Sequence, residues 1–292
     1  MKHIYYRGSL AFCNYNCSYC PFSKNRGSLR QRERDGQQLS RFVRKMAQER
    51  FHGAVQIVPY GEALIHAHYW QGMAELSALS GIQAVGAQSN FSFPVSDMLE
   101  RFLECGGNME KLRLWGTFHP EMTSVEAFLL QCDQLRKAGV SFCVGAVGVP
   151  RQLELLRELR SRLDRSVYFW INKMDGLGRP YTAEERKACL ELDPFFSLEL
   201  RHIPADAAAC GDAVLVQGDG TVRPCINCHA VMGNLYTDGL SGLTQKVCTR
   251  KVCECYLCYG NRSDQREMQA FSPYAGFRIP RDPGRGAIDP VS

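Results

Sequence analysis

Cys13, Cys17 and Cys20 stand in the stretch CNYNCSYCPF, with three and then two residues between them. Three thiolates from one short loop can hold three irons of a [4Fe–4S] cube and leave the fourth iron open. The same residues would also suit a zinc ion awaiting a distant fourth ligand, or be three unrelated thiols; spacing alone leaves these readings standing. A second group lies far along the chain. CGDAVLVQGDGTVRPC runs from Cys210 to Cys225, with Gly220 five residues before the second cysteine, and CECYLC closes on Cys258. Cys225-x2-Cys228 and Cys255-x2-Cys258 are two Cys-x2-Cys knuckles, a zinc-ribbon pattern when taken in isolation.

The compartment bears on both groups. MKHIYYRGSL carries no apolar signal-peptide core, and no apolar run in the 292 residues approaches the length of a membrane span. The expectation is a cytoplasmic protein with no membrane contact, where fourteen reduced cysteines argue for metal or cluster ligation over disulfides. Apolar content of 45% is enough for a sizeable core. The net charge of +5 permits an anionic substrate without indicating nucleic acid.

Short apolar runs alternate with amphipathic segments up to about residue 191. Candidate strands are Tyr6–Phe12, Ala54–Pro59, Ile82–Gln88, Lys111–Thr117, Val140–Val147 and Val167–Ile171. Helical patterns follow at Leu39–Phe51, Tyr69–Leu79, Val95–Leu103, Ser124–Lys137, Arg151–Leu163 and Thr182–Leu192. Ser124 reads as an N-cap, Gly139 as the glycine that ends the same helix, and Asp193-Pro194 as the stop of the last one. Six βα units imply a parallel sheet with right-handed crossovers, too few to close an eight-stranded barrel, so an open partial barrel is expected. Cys20, Glu62, Asn90, His119, Gly148 and Asn172 all fall just beyond candidate strand ends. In a βα barrel those ends share one face, where sites are built.

Residues 195–265 hold seven of the fourteen cysteines, with Gly218-Asp219-Gly220 reading as a hairpin turn. Cys228, Cys248 and Cys253 are surplus thiols or alternative ligands, and Cys105, Cys132, Cys143 and Cys189 are expected as buried core thiols. The Pro-, Gly- and Arg-rich tail, residues 266–292, is expected to be extended: a disordered end, or a strap over a cleft if Phe271, Tyr274 and Phe277 anchor it.

Cys13-x3-Cys17-x2-Cys20, with aromatic Tyr19 before the last cysteine and the motif at the end of the first strand, resembles the signature of the radical S-adenosylmethionine (SAM) enzymes. The resemblance implies a partial (β/α)6 TIM barrel over residues 1–195, a catalytic [4Fe–4S] cluster on the three cysteines, and SAM chelating the open iron. It also implies reductive cleavage of SAM to a 5′-deoxyadenosyl radical that abstracts a substrate hydrogen. The vacancy left by the missing fourth cysteine is then the position SAM fills. In PYGEALIH, Gly61 and Glu62 match the family's Gly-Gly-Glu-Pro, while Tyr60 and Ala63 depart from it; Glu62 would hold the SAM ammonium. Ser89 and Asn90 would be polar SAM contacts or helix caps. Thr117 and His119 would reach the SAM carboxylate, its ribose or the substrate, or His119 is a solvated or capping loop residue. Gly148 in CVGAVGVP would flank the adenine, and Asn172 and Lys173 would contact adenine or substrate.

Cys210, Gly220 and Cys225 fit Cys-x(9–15)-Gly-x4-Cys, which resembles the opening of the SPASM and shorter twitch modules of that family. The resemblance implies a small α+β cysteine-rich module at residues 196–265 with an auxiliary [4Fe–4S] cluster on Cys210, Cys225, Cys255 and Cys258; the zinc ribbon stays open beside it. Relatives with such modules modify peptides or oxidise small metabolites. The expected activity is therefore hydrogen abstraction in maturation of a peptide or small-molecule natural product. Only twelve residues precede Cys13, so a peptide substrate would need a separate recognition protein. Lys24, Arg26, Arg30, Arg32 and Arg34 would dock an acidic flavodoxin- or ferredoxin-type electron donor, guide an anionic substrate, or form a solvated mobile loop. The competing class is a zinc- or cluster-bearing nucleic-acid-binding module without catalysis. A basic stripe alternating with aromatics would support it, and the chain lacks one.

Overall fold

Six short runs buried on both faces become six parallel strands, joined in chain order by helices. In the computed structural model, which describes residues 2–22, 27–205, 213–246, 248–253, 262, 264–271 and 274–281, the units are β1 (His3–Arg7), α1 (Leu29–Met46), β2 (Gly53–Ile57), α2 (Ala67–Ala78), β3 (Ile82–Ser89) and α3 (Val95–Glu104), then β4 (Leu112–Phe118), α4 (Val125–Lys137), β5 (Ser141–Val147), α5 (Leu153–Arg162), β6 (Phe169–Asn172) and α6 (Ala183–Leu192). Strands β1 to β6 pair side by side and all parallel, the partial (β/α)6 barrel expected of six such units.

A short helix α7 (Phe196–Leu200) precedes β7 (Ile203–Pro204), β8 (Ala213–Gln217), β9 (Thr221–Arg223) and β10 (Gly233–Asn234), and β11 (Val252–Cys253) pairs antiparallel with β7. Strand β8 joins the main sheet on the free edge of β1, in parallel, and β9 and β10 add to it antiparallel. The cysteine-rich stretch thus builds on the barrel sheet itself. The turn between β8 and β9 is the Gly218-Asp219-Gly220 hairpin, with Gly220 at φ 90°.

Period-2 alternation sorts the sheet's two faces. Ile4, Tyr6, Val55, Ile57, Val85, Leu114, Phe169 and Ile171 join the helices in the main apolar core. The opposite, inner face carries Tyr5, Ala54, Ala84, Trp115, Cys143 and Trp170. The C-terminal segment lines this inner face as a strap of two 3-10 turns, Arg266–Phe271 and Ala275–Phe277. Phe277 sits on Ala54 and Ala84, and Phe271 on Tyr168 with ring centroids 4.8 Å apart. Residues beyond Arg281 lie outside the described residues.

Three expectations need correction. The first strand is His3–Arg7, not Tyr6–Phe12, because side chains of α1 take over the backbone once it passes Gly8. Gln38 accepts the Ser9 amide at 3.0 Å and Asp35 the Leu10 amide at 2.8 Å. Helix α1 begins at Leu29, ten residues before the expected Leu39, so Arg30, Arg32 and Arg34 are helical rather than part of a loop, while Lys24 and Arg26 lie outside the described residues. A Ser28/Gln31 capping box starts it, and buried Asp35 occupies a core-facing position where an apolar residue would have shown the period. Cys105 is exposed, whereas Cys132, Cys143 and Cys189 are buried as expected. Ser124 caps α4 by accepting the Ala127 amide at 3.1 Å, and Gly139 follows the helix at φ 75°. No helix among the described residues is long and apolar enough to cross a membrane.

Candidate active site

The cysteine loop leaves the sheet under tight control. Buried Asp35 accepts both the Leu10 amide and, at 2.6 Å, the Tyr69 hydroxyl, so α1 and α2 jointly fix the chain two residues before Phe12. The next contact requires a glycine. The Glu62 amide donates to the Phe12 carbonyl at 2.8 Å, and a Cβ on Gly61 would lie 1.9 Å from that carbonyl oxygen. Gly61 and Glu62, matched in sequence to a SAM-binding turn, thus press directly on the residue preceding Cys13.

Glu62 is 3% exposed and accepts three hydrogen bonds: from the Ser89 hydroxyl at 2.8 Å, the Asn90 amide at 2.6 Å and the Leu64 amide at 2.9 Å. Burial pushes its carboxyl up to about 7, against those three donors, which favour the charged form. A carboxylate offers about four acceptor sites, so one remains for a cationic group. This is the fit required of a residue that holds an ammonium. Ser89 and Asn90 are themselves buried at 5% and 4% exposure. Asn90 Nδ2 donates to Asn14 Oδ1 at 3.0 Å and lies 4.0 Å from Cys13 Sγ, joining the end of β3 to the cysteine loop. Ser92 closes the same corner, its amide donating to Asn90 Oδ1 at 3.0 Å and its hydroxyl accepting from Asn14 at 2.8 Å.

Cys17 is buried, its thiol pushed up to about 12 by desolvation and then by the neighbouring Cys20 and Cys13 thiols. The Tyr15 amide donates to Cys13 Sγ at 3.4 Å. Three thiols that crowd one another in this way, with amide support, suit a cation-rich group that takes a sulfur at each of several metals. Among the described residues no three His, Cys, Asp or Glu side chains converge on one point as a single metal ion requires. Three cysteine thiols on one loop are a donor set that an iron–sulfur cluster, whose thiolates bind different irons, would take.

The end of β4 holds the far side of the loop. Tyr19 Oη and His119 Nδ1 are hydrogen-bonded at 3.0 Å with their rings stacked, and Tyr15 meets the His119 ring edge-on. Burial lowers His119 to about 4, so the imidazole is neutral at pH 7. Glu121, which the sequence reading passed over within GTFHPEMTS, is the stronger tie. Its carboxylate accepts the Ser18 amide and hydroxyl, both at 2.7 Å, and also binds Arg151 at 2.6 Å and Gln152 at 3.2 Å. The segments that follow β1, β4 and β5 meet at this carboxylate. Its sequence signal was an acid three residues past the end of β4, in the same loop as His119.

Gly148 and Asn172 meet through the Gly148 amide and the Asn172 carbonyl at 2.8 Å. The close approach at Gly148 is made by protein, with an added Cβ 3.0 Å from Ile171 and 3.3 Å from the Tyr181 hydroxyl. The Asn172 side chain accepts from Trp170 Nε1, and the Lys173 amide donates to Glu199 at 3.0 Å. Thr117 lies half-buried near the end of β4. In the second cysteine group, Cys225, Cys228, Cys248 and Cys253 are described, while Cys210, Cys255 and Cys258 lie outside the described residues.

No protein-family model matches the sequence, and no curated protein does. Solved structures do. The structure of native anSMEcpe with bound AdoMet aligns over 83% of this chain and 80% of that one, with a TM-score of 0.56 at 14% identity. The same protein with bound AdoMet and Cp18Cys peptide aligns over 82% and 79%, with a TM-score of 0.54 at 14% identity. Likeness at this identity speaks for architecture. The chain has the partial (β/α)6-barrel fold of the radical SAM enzymes.

Proposed function

We propose that this chain is a radical SAM enzyme that cleaves S-adenosylmethionine reductively and abstracts a hydrogen atom from a peptide or small-molecule natural product. The observation that carries the reading is the meeting of the Cys13–Cys20 loop, Glu62 and Asn90 at the strand ends of a barrel with this fold. Cys13, Cys17 and Cys20 would hold a [4Fe–4S] cluster, which supplies the electron that breaks SAM into methionine and a 5′-deoxyadenosyl radical. The chain's own residues do the rest. Glu62 presents its remaining acceptor site to the SAM ammonium. Ser89 and the Asn90 amide hold that carboxylate in place, and Asn90 ties it to the cysteine loop. Neutral His119 and Tyr19 fix the loop's far end, and the buried inner face excludes water.

AdoMet and a peptide bound together in the anSMEcpe neighbour support a peptide as substrate class here. We also assign to this reading a cytoplasmic location, a flavodoxin- or ferredoxin-type donor, a separate peptide-recognition protein and an auxiliary cluster. The exposed arginines of α1, Arg30 and Arg34, give an acidic donor a surface beside the loop. The test is Cys17→Ala in the full chain after anaerobic reconstitution. Loss of dithionite-dependent 5′-deoxyadenosine formation supports the reading; formation at the wild-type rate overturns it.

A further inference from the structure

Strand β6 is the last of the main sheet, and acids from the chain behind it take up its edge amides. Asp193 accepts the Ile171 amide at 2.9 Å and Glu199 the Lys173 amide at 3.0 Å, which holds α7 against that edge and beside α6. Helix α6 gives one face to this packing, with Ala188, Cys189 and Leu192 buried. Its outer face is left to solvent.

An open groove of about 610 Å³ runs between the two helices. The wall from α6 is Ala183, Arg186, Lys187, Leu190 and Glu191, the i, i+3, i+4, i+7, i+8 stripe with which a helix ordinarily meets another element. The facing wall is Ser197 and Leu200 of α7, with Arg201 just after it. Leu190 is 41% exposed and Leu200 36%, so the groove offers two leucines to water. Its charge is one-sided: three cations line it against one acid. That acid, Glu191, is held by Arg157 of α5 at 3.2 Å, and Arg201 pairs with Glu267 of the strap at 3.0 Å. Arg186 and Lys187 form no ion pair among the described residues, and Glu185 beside them is turned to Arg179 and the Thr182 amide.

We propose that this groove docks an acidic amphipathic helix of a protein partner. Leu190 and Leu200 take apolar side chains of that helix at i, i+3 or i+4 spacing, and Arg186 and Lys187 take the carboxylates that flank them. At about 1.5 Å per residue the stripe from Ala183 to Glu191 is about 12 Å long, room for two turns of a partner helix and the footprint of a transient contact. The inference goes beyond the radical SAM reading and does not depend on it, since the groove lies on the outer helical layer and uses none of the residues at the strand-end site.

The test uses the full-length chain and two fluorescent peptides with leucines at helical spacing, one with glutamates between them and one with lysines in the same places. Anisotropy reads the binding. The glutamate peptide is expected to bind saturably and the lysine peptide to show no binding. Leu190→Ser should weaken the glutamate peptide by about fivefold or more. The Arg186→Glu/Lys187→Glu variant should lose the glutamate peptide and gain the lysine one, a reversal that a misfolded chain cannot produce. Absence of saturable binding, equal binding of the two peptides, or unchanged affinity in both variants overturns the proposal. A concentration-dependent dimer that Leu190→Ser dissolves also overturns it, assigning the groove to a second copy. Binding seen only after residues 282–292 are removed overturns it in favour of this chain's own end.

Discussion

Glu121 accepts both the backbone amide and the hydroxyl of Ser18, each at 2.7 Å, and so binds the middle of the cysteine loop to the end of β4. The Ser18 amide, the largest influence, holds its carboxyl below the usual range. A net hydrogen bond to a charged group contributes about 1.5 kcal/mol, and solvent screening at exposed Glu121 reduces this. Glu121→Ala is expected to speed loss of the reconstituted cluster to a chelator by about fivefold, a change of about 1 kcal/mol. Bleaching of the cluster absorption with time measures it; wild-type kinetics would show that the loop holds itself.

Glu62 gives stability a pH dependence that SAM should abolish. Its folded-state value, up to about 7, lies above the unfolded carboxyl, so between about 4.5 and 7 the folded chain binds the extra proton. This contribution is present below the unfolded value and is lost as pH rises through 7, on the order of 3 kcal/mol in all. Denaturant midpoints of the metal-free chain should therefore fall from pH 5 to pH 8 by more than those of Glu62→Gln. A bound ammonium favours the carboxylate and lowers its pKa, so SAM should flatten the wild-type slope. Equal slopes in wild type and Glu62→Gln would refute this.

Legibility followed the length of the signal. The helices α2 to α6 and the strands β2 to β6 showed plain periodicity and were readable to within a few residues. Helix α1 was not, because its buried Asp35 bonds the Leu10 amide and Tyr69 hydroxyl where periodicity looks for an apolar side chain. Cys13, Cys17 and Cys20 stood out as a candidate site because three residues of one type and two spacings coincide. Glu121 did not, since one acid in a loop carries no pattern and its function depends on Ser18, Arg151 and Gln152 arriving from elsewhere.

Thiol reactivity separates the four lone cysteines. Cys105 is exposed at the end of α3, while burial pushes Cys143 and Cys189 up to about 12 and Cys132 higher still. Only thiolate reacts, and only where reagent reaches it. In brief maleimide labelling of the native chain, Cys105 should be modified at least tenfold faster than Cys132, Cys143 or Cys189, as read by peptide mass spectrometry. Comparable labelling of Cys143 would mean that the C-terminal strap does not cover the inner face.

Arg278 is the centre of that strap. It is fully buried at φ 51°, its guanidinium carbon 3.0 Å from the Trp170 ring centroid and 4.6 Å from that of Trp115. Desolvation lowers its pKa, opposed by Glu199, Tyr168, Cys143 and Asp193. Asp193 in turn accepts from Tyr168, the Ile171 amide at 2.9 Å and the Phe195 amide at 2.9 Å, which binds β6 to the start of α7. Removing one partner of a buried charge arrangement costs about 3 kcal/mol, which for a chain of this size is roughly 6–10 °C in Tm. Arg278→Ala should therefore melt earlier by that amount and change the fluorescence of Trp115 and Trp170, both of which lose the cation held over their rings. Arg278→Lys should recover little, because a compact ammonium cannot stack on an indole face as a planar guanidinium can. Full recovery by lysine would reduce Arg278 to a charge and leave the strap to its aromatic anchors.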